Sequence, residues 1–267
     1  MSEEKKLQAV APISAPFKVV MIVAHHDDIE FGAAGSVAAW VQQGAEVVYV
    51  IVTDGSSGSN QPGVVRAELA ETRKTEQIAA AAAVGVTKIY FMGYLDGTLE
   101  STIELRRELT RIIRTEKPDR VVCQDPTTVF VYDSYINHPD HRAAGEAAVY
   151  ATFPSSETRP IFPELLEEGL EPHKVKELYL TLTINPTHFV DVTSTMEQKI
   201  NSLRAHVTQL GAGEDFENGA LKWVMEWSSE TGKMTGVQHA ETFKVMMLAG
   251  ANDNVREQDL AKAESGD

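Results

Sequence analysis

The chain has 267 residues, of which 43% are hydrophobic and 24% are charged, values typical of a folded globular protein. Its 39 acidic residues outnumber the 24 basic ones, and the net charge of −15 excludes a broad basic surface for nucleic acid or anionic lipid. The one cysteine, Cys123, excludes an intramolecular disulfide and predicts a reducing, cytoplasmic setting. No apolar run approaches the roughly 20 residues of a membrane span, and the N-terminus has no signal-peptide pattern.

After a charged and then Pro/Ala-rich segment over residues 1–16, which predicts a flexible leader, strand and helix patterns alternate. Short β-branched apolar runs predict buried strands, and apolar residues at helical spacing predict helices. The predicted strands are 17–24, 46–53, 88–92 and one that begins at 120. The predicted helices follow residue 28 as far as Gly44, span 65–84, and run from a cap at Ser101 to Pro118.

Alternation of this kind, with short connections, indicates an α/β fold: a Rossmann-like, doubly wound and mostly parallel sheet with helices on both faces. Beyond about residue 150 the pattern loosens. Strands at 178–182 and 188–192 and a helix over 194–210 predict a C-terminal elaboration of the same sheet. We therefore predict a single domain over 17–250, followed by a polar tail over 251–267.

Histidines and carboxylates follow two of the predicted strands. The first strand leads into HHDD at 25–28, and the loop after the fourth ends in NHPDHR at 137–142. Because ligands bind beyond the carboxyl ends of parallel strands, these segments are expected to meet. Imidazole and carboxylate donors suit zinc and other divalent metals, and two ligands from one turn plus one from a distant loop leave a position open for water. Either segment alone is explained by a solvated turn or a helix N-cap, but together they predict a catalytic metal site.

The segments AHHDDIEFGAAGS and HPDHR resemble the zinc-dependent N-deacetylases of the PIG-L or LmbE-like family, which carry AHPDDE-type and HPDH-type motifs. The resemblance runs through most of the chain and is nearest in look to the bacterial bacillithiol-pathway deacetylases, with DDIE at 27–30 in place of DDE. It implies a hydrolase that removes the N-acetyl group from a small GlcNAc-type sugar or sugar conjugate. The implied cofactor is Zn²⁺ or another divalent metal such as Fe²⁺, Co²⁺ or Mn²⁺, and the implied assembly is a homo-oligomer.

The resemblance also implies roles for residues that match the family motifs. His25, Asp28 and His141 correspond to the metal ligands. Asp27 corresponds to the general base that acts on a zinc-bound water, and His138 to an acid or oxyanion stabiliser beside the metal. Proton transfer by such a base contributes about 10²–10⁴-fold to a rate.

His26 departs from the pattern, because the family usually has proline there. Proline cannot bind a metal, so the histidine at this position makes the ligand assignment ambiguous between two neighbours: either His25 or His26 is the ligand. Asp28 as partner favours His25, with His26 as a packing or rim residue. His206 stands where relatives carry a His or Tyr near the pocket, but its spacing from Leu203 also fits a packed helix face.

Three further residues each have two interpretations. By resemblance Arg73 contacts the substrate, but a surface pair with a helix neighbour explains it equally well. Asp96 resembles a carboxylate that holds sugar hydroxyls, and the Asp96-Gly97 pair is also a good turn. Asp140 either orients a ligating histidine or caps the helix that starts near His141.

Three other functions stay open beside the deacetylase. The same metal site can serve amide cleavage in a thiol-sugar conjugate, which needs a different pocket mouth. A non-catalytic sugar- or metal-binding relative is expected to lose the base, and Asp27 is present. A nucleotide-binding protein of this fold class is disfavoured, because no GxGxxG follows the first strand and no P-loop is found.

Overall fold

The computed structural model describes residues 6–248. The strands are β1 (Gln8–Ala9), β2 (Phe17–Val23), β3 (Ala45–Thr53), β4 (Lys88–Tyr94), β5 (Arg120–Gln124), β6 (Phe130–Val131), β7 (Tyr135–Ile136), β8 (Glu177–Thr181), β9 (His188–Asp191) and β10 (Ala240–Met247). The helices are α1 (Asp28–Gly32), α2 (Ala34–Gln42), α3 (Arg66–Ala83), α4 (Ile103–Glu116), α5 (Pro139–Tyr150), α6 (Glu164–Glu167), α7 (Met196–Arg204), α8 (Val207–Leu210), α9 (Glu214–Phe216) and α10 (Lys222–Thr235).

The centre of the fold is an eight-stranded sheet with the order β1-β9-β10-β8-β5-β2-β3-β4. Strands β4, β3, β2, β5 and β8 are mutually parallel, and β10 runs antiparallel to both β8 and β9. A short antiparallel hairpin, β6–β7, lies outside this sheet. The mostly parallel α/β fold predicted from the alternating pattern is therefore confirmed. The elaboration adds β8, β9 and, between them, the antiparallel strand β10.

Consecutive residues of the central strands bury their side chains on opposite faces of the sheet. In β2, Val19 and Met21 belong to one hydrophobic cluster, whereas Val20 and Ile22 belong to the other. Helices α2 and α7 contribute to the first cluster, and α4 and α5 to the second. Strands buried on both faces have near-continuous apolar sequences, which is why β2, β3 and β5 are readable in the sequence. Cys123 is fully buried in the second cluster.

Three boundaries differ from the sequence prediction. The helix expected from residue 28 to Gly44 is two helices, because Ala33 leaves the helical region with φ −154°. The helix expected over 194–210 is interrupted after Arg204, and His206 lies between α7 and α8. The cap of α4 is Thr102 and not Ser101, since the Thr102 side chain accepts the N–H of Leu105.

Part of the predicted leader is attached to the sheet. Gln8 and Ala9 pair in parallel with His188 and Phe189, and Ile13 is buried. This pairing differs from the free segment expected for residues 1–16, and the flexible leader stays a prediction. The predicted tail over 251–267 lies outside the described residues. The division into a single domain and two terminal segments stays a prediction. Over residues 6–248, the helices are all too short or too polar to cross a membrane.

Candidate metal centre and active site

Three side chains that can ligate a metal converge beyond the carboxyl end of β2. Nδ1 of His25 lies 3.4 Å from Oδ2 of Asp28 and 3.1 Å from Nε2 of His141. The same His141 nitrogen lies 3.0 Å from Oδ1 of Asp28. One ligand atom from each residue lies within 4.8 Å of the other two. Two imidazole nitrogens and a carboxylate are a donor set typical of catalytic zinc sites.

The other nitrogen of each imidazole ring has its own partner, which assigns the tautomer. Nε2 of His25 lies 3.2 Å from Oδ1 of Asp96 and 3.3 Å from Oδ2 of Asp140, so this nitrogen carries the hydrogen. Nδ1 of His141 lies 3.2 Å from Oδ1 of Asn137 and donates in the same way. When a ring loses the proton on its remaining nitrogen, that nitrogen has a free lone pair facing the Asp28 carboxylate. Such outer partners orient metal-binding histidines and increase their basicity.

Carboxylates dominate the electrostatics around His25. Burial opposes its cationic form, but hydrogen bonds to Asp140, Asp28 and Asp96 outweigh burial and raise the pKa of His25 to about 12. Burial also opposes the ionised form of Asp28, yet the His141 and His25 rings hold the pKa of Asp28 well below its usual range. The pocket therefore favours a positive charge at this point, which either a proton or a metal ion can supply.

Asp140 lies fully buried beneath His25. Its carboxylate accepts the backbone N–H of Gly97 at 2.7 Å and of Leu99 at 3.1 Å, which fastens the loop after β4 to the start of α5. The N-cap of α5 is His138, whose Nδ1 accepts the N–H of Asp140 at 3.2 Å. Two roles were left open for Asp140. In the structure Asp140 contacts His25, whereas the N-cap of α5 is His138.

His138 is the most exposed histidine of this group, with 38% of its side chain accessible. Because its Nδ1 accepts a backbone N–H, the neutral ring carries its hydrogen on Nε2. Burial and the nearby His25 lower the pKa of His138, which keeps the ring neutral. His25, His138 and Asp140 form a second group with converging ligand atoms, but Asp140 and His138 are already hydrogen-bonded to backbone or to each other. His138 is thus a neutral N–H donor beside the first group.

Asp27 occupies the tight turn between β2 and α1 in a left-handed conformation, with φ 87°. This region is costly for a residue other than glycine, and such strain is common at functional sites. The side chain makes no capping hydrogen bond with α1, and it is 15% exposed. Burial and the adjacent Asp28 carboxylate raise the pKa of Asp27 to about 7. A carboxylate with that pKa suits general-base work near neutrality.

Arg73, on α3, holds together the loops that carry the site. Its guanidinium donates to the carbonyl oxygens of His26 at 2.7 Å and of Gly55 at 3.0 Å, and lies 3.6 Å from Oδ2 of Asp27. At Gly55, where φ is 66°, an added Cβ would lie 2.7 Å from Nδ1 of His26, so glycine permits this close approach. Because Arg73 is 3% exposed, the surface-pair alternative is wrong.

Asp96 faces His25 rather than open solvent. It is 5% exposed and accepts the N–H of Ser57 at 2.9 Å. Although burial opposes ionisation, the hydrogen bond from His25 lowers the pKa of Asp96 to about 2. Neither Asp96 nor Arg73 lines the cavity beside the metal ligands. Asp96 lies beside His25, and Arg73 lies beside Asp27. Since His25 and Asp27 do not line that cavity either, direct contact of Arg73 and Asp96 with a substrate stays a prediction.

His26 points away from the converging ligands. It is 1% exposed, and its ring stacks on Phe91 with centroids 5.6 Å apart. Neither ring nitrogen has a hydrogen-bond partner among the described residues. Burial and the nearby Arg73 lower the pKa of His26 to about 3, so the ring is neutral. This arrangement agrees with the packing role predicted for His26 and with His25 as the ligand.

A buried polar chain continues behind Asp27. The N–H of Asp27 donates to Oε1 of Gln77 at 3.2 Å, and Nε2 of Gln77 donates to Oε1 of Glu30 at 3.0 Å. Nε2 of His206 lies 3.4 Å from Oε2 of Glu30, and both side chains are fully buried. Burial opposes the cationic form of His206, but Glu30 outweighs it and raises the pKa of His206. His206 is therefore packed, and it contacts the site only through Glu30 and Gln77.

A cavity of about 750 Å³ opens from the metal-ligating group. Asp28 and His141 line it, as do Phe31 of α1 and Lys199 of α7. Its other lining residues come from the β6–β7 hairpin, from the segment after β8, from β10 and from α10, among them Val131, Tyr132, Tyr135, Leu182, Ile184, Trp223, Trp227, Thr231 and Thr242. Both the volume and the mainly apolar lining are ordinary for a small-molecule site.

Comparison with known proteins decides the family. Residues 20–152 match the sequence model of PIG-L, described as GlcNAc-PI de-N-acetylase. Diacetylchitobiose deacetylase of Thermococcus kodakarensis is 33% identical, over 86% of this chain and 84% of that protein. The chain belongs to the PIG-L family. A probable N-acetyl-alpha-D-glucosaminyl L-malate deacetylase 2 of Bacillus anthracis is 29% identical, over 78% of this chain and 90% of that protein.

A solved PIG-L relative shares the fold as well as the sequence. N,N'-diacetylchitobiose deacetylase from Pyrococcus horikoshii, in complex with an inhibitor, superposes with a TM-score of 0.79 at 33% identity. The match covers 86% of this chain and 84% of that chain. The family and the fold predicted from the AHHDD and HPDHR segments are therefore confirmed.

Several site residues of this PIG-L chain were missed in the sequence. Asn137 precedes His141 by one helical turn, a spacing that favours contact, and it stood inside the quoted motif. Gln77 follows Arg73 by the same spacing on α3, so it was a candidate partner for Arg73 rather than for Asp27. Lys199, buried in α7, pairs with Glu241 at 2.5 Å. The one sequence signal for this burial was its position on the helix face that carries Met196 and Leu203.

Proposed function

We propose that this chain is a metal-dependent hydrolase that removes the N-acetyl group from a small GlcNAc-type sugar or sugar conjugate. The observation that carries the proposal is the convergence of His25, Asp28 and His141 beside Asp27 in a member of the PIG-L family. Asp28 and His141 also line a cavity. Relatives at 29% and 33% identity are named as deacetylases of N-acetylated sugars.

The donor atoms fit a divalent metal. Nδ1 of His25, Nε2 of His141 and the Asp28 carboxylate would hold it, because both rings have their other nitrogen occupied by an acceptor. Zn²⁺ is the metal we propose, and Fe²⁺, Co²⁺ and Mn²⁺ accept the same donors. When bound, the metal lowers the pKa of a water to about 7 and polarises the acetamido carbonyl.

Asp27 is the proposed general base. Its carboxylate takes a proton from the attacking water and then passes that proton to the nitrogen of the leaving amine. The raised pKa of Asp27 serves both steps, because a group that titrates near neutrality can accept and release a proton there. Arg73, 3.6 Å from Oδ2 of Asp27, keeps the carboxylate oriented and stops its pKa from rising further.

His138 is the proposed oxyanion stabiliser. The hydrogen on Nε2 gives it one donor, and its exposed side chain leaves that donor free for substrate. One well-placed donor of this kind contributes about 3–4 kcal/mol to transition-state stabilisation. A cytoplasmic location and a homo-oligomeric assembly accompany this proposal as predictions that rest on composition and on resemblance.

The test combines metal analysis with acetate release. The purified protein is expected to hold one divalent metal per chain and to release acetate from GlcNAc, its oligomers or its glycosides, with loss of activity on chelation and recovery on metal addition. His141→Ala should lose the metal and the activity with little unfolding, since its side chain lies at the cavity edge. His173→Ala, at a histidine whose Nε2 hydrogen-bonds to the carbonyl of Pro118, is the matched control. Full metal content in the His141 variant contradicts the ligand set, and a metal-loaded wild type that releases no acetate contradicts the function.

A further inference from the structure

A row of three aromatic rings leads from the metal-ligating group along the cavity. Phe31 lies three residues after Asp28, and its ring meets that of Trp223 edge to face with centroids 5.6 Å apart. The Trp223 ring is followed by that of Trp227, with centroids 5.1 Å apart and planes inclined by 34°. Trp223 is 51% exposed and Trp227 38% exposed, although both line the cavity. Large indole faces left open in this way are suited to stacking against a ligand.

The β6–β7 hairpin adds two more aromatic rings to the same cavity. Tyr132 and Tyr135 line it and are 77% and 55% exposed. The uncharged polar residues Ser134, Asn137 and Thr231 also line it. The lining therefore combines open aromatic surface with uncharged hydrogen-bonding groups.

The cavity offers no available positive charge. Apart from His141, its ionisable lining residues are Asp28, Lys199, Glu241 and the two tyrosines. Lys199 is 1% exposed at its side chain and donates to Oε1 of Glu241 at 2.5 Å and to the carbonyl of Phe31 at 2.7 Å. A carboxylate or phosphate on a ligand thus has no cation to pair with here, in a chain whose net charge is −15.

We propose that the part of the cavity around Trp223 and Trp227 is a subsite for an uncharged group with a flat apolar face, carried by the acetamido sugar on its anomeric side. This proposal rests on the proposed deacetylase function and specifies its substrate class. An aromatic or alkyl aglycone and a second, neutral sugar ring share that chemistry. An anionic aglycone such as malate does not, which separates this chain from the malate-conjugate deacetylase that it resembles at 29% identity.

The kinetic test compares four acetamido substrates: methyl and phenyl N-acetyl-α-D-glucosaminide, the disaccharide of two N-acetylglucosamine units, and the L-malate conjugate. We expect kcat/KM for the phenyl glycoside, the disaccharide or both to exceed that for the methyl glycoside by about tenfold or more. The malate conjugate should fall at or below the methyl glycoside. The neutral substrate with the larger increase in kcat/KM over the methyl glycoside shows whether the apolar face belongs to an aromatic aglycone or to a second sugar ring.

Substitutions at the two indoles locate the effect. The double variant Trp223→Ala/Trp227→Ala should lose the preference for the neutral substrates over the methyl glycoside and should keep its full metal content. Replacing both by Phe should keep most of the preference, because a stacking ring is retained. Met234→Ala, also on α10 but 75% exposed and outside the cavity lining, is the control for a change in this helix.

Tryptophan fluorescence gives a readout that does not need turnover. Of the three tryptophans, Trp40 is 2% exposed, so a ligand-induced change reports on Trp223 and Trp227. Saturable fluorescence changes with the neutral ligands but not with the malate conjugate are expected, even if no acetate is released, in which case the deacetylase function fails and the subsite stands. Equal binding or turnover of the malate conjugate, or a preference that survives the double alanine variant, overturns the subsite.

Discussion

The N–H of Asp27, the residue directly before the candidate ligand Asp28, donates a hydrogen bond to Oε1 of Gln77 across 3.2 Å. Gln77 is fully buried and donates in turn to Glu30. Asp27 has φ 87°, so its backbone amide needs a fixed acceptor to hold the turn in this costly conformation. We infer that Gln77 positions Asp27 without touching the substrate.

Gln77→Leu should therefore lower kcat more than it raises KM. The acceptor for the Asp27 amide is lost, so the carboxylate is displaced, and a small displacement costs about 10²-fold in rate. Metal content should stay complete because His25, Asp28 and His141 keep their own partners. Glu30→Gln is the matched control, since its side-chain oxygen still accepts from Gln77 and the Asp27 turn is preserved. Unchanged kcat in Gln77→Leu would show that the turn at Asp27 keeps its conformation without the hydrogen bond to Gln77.

Asp140→Asn should weaken metal binding by about 10–100-fold, because Asp140 lies behind His25 and orients it. The N–H groups of Gly97 and Leu99 donate to different carboxylate oxygens of Asp140, so asparagine keeps an acceptor for one of them and the loop loses one hydrogen bond. Competition with a chromophoric chelator measures the affinity. Asp125→Asn removes another buried carboxylate, one that accepts from Thr127 and Thr183, and should leave metal affinity unchanged. Equal affinity in wild type and Asp140→Asn contradicts the role given to Asp140.

Metal uptake should release a proton and strengthen as the pH rises. The surrounding carboxylates raise the pKa of His25 to about 12 in the metal-free protein, so its ring is protonated at neutral pH. A metal at Nδ1 must displace that proton, and each proton displaced makes the apparent affinity about tenfold greater per pH unit below that pKa. Calorimetry in two buffers with different ionisation enthalpies counts the protons. An affinity that does not change between pH 6 and 8 would be inconsistent with a protonated His25.

His26→Phe should leave metal content unchanged and stability equal or higher. Its ring nitrogens have no partner among residues 6–248, and an apolar ring of similar shape removes their desolvation cost, about 1–3 kcal/mol for an unsatisfied buried group. The stack on Phe91 is retained. Thermal unfolding measures the stability of His26→Phe, and metal analysis measures its metal content. His25→Phe is the comparison that is expected to lack the metal. Loss of metal from the His26 variant would move the ligand assignment by one residue.

The sequence predicted the parts of this molecule that depend on local patterns. Strands β2, β3 and β5 are buried on both faces, so their apolar runs are continuous and visible. The ligand trio was predictable because two short motifs follow parallel strands. The contacts behind this trio were not predictable from the sequence. Asp96 and Asp140 contact His25 although they are 71 and 115 residues away along the chain, and the packing of the loop after β4 against α5 brings them there. The choice between the two interpretations of Arg73 stayed open for the same reason, since its helix gives no sign of the loops that cover it.

Asp27→Asn separates catalysis from structure more cleanly than Asp27→Ala. Asparagine tolerates the left-handed conformation at φ 87°, whereas alanine is strained there, so only the asparagine variant keeps the turn. The Asp27 side chain makes no capping hydrogen bond with α1, so no cap is lost. Because asparagine cannot accept the proton, kcat should fall by about 10²–10⁴-fold with KM changed far less. Metal content should stay complete, since Asp27 is outside the ligand trio.

The same variant also tests whether Asp27 is merely structural. A structural Asp27 would give nearly normal kcat together with a lower free energy of unfolding, because the uncharged side chain no longer pairs with Arg73, whose Nη2 lies 3.6 Å from Oδ2 of Asp27. A catalytic Asp27 gives the reverse, a folded and metal-loaded protein that binds substrate without turning it over. Measuring kcat, KM, metal content and melting temperature on this one protein distinguishes the two outcomes. Near-normal turnover would leave the proposed mechanism without a base, because in residues 6–248 the other carboxylates near the ligands, Asp96 and Asp140, are committed to His25 and backbone amides.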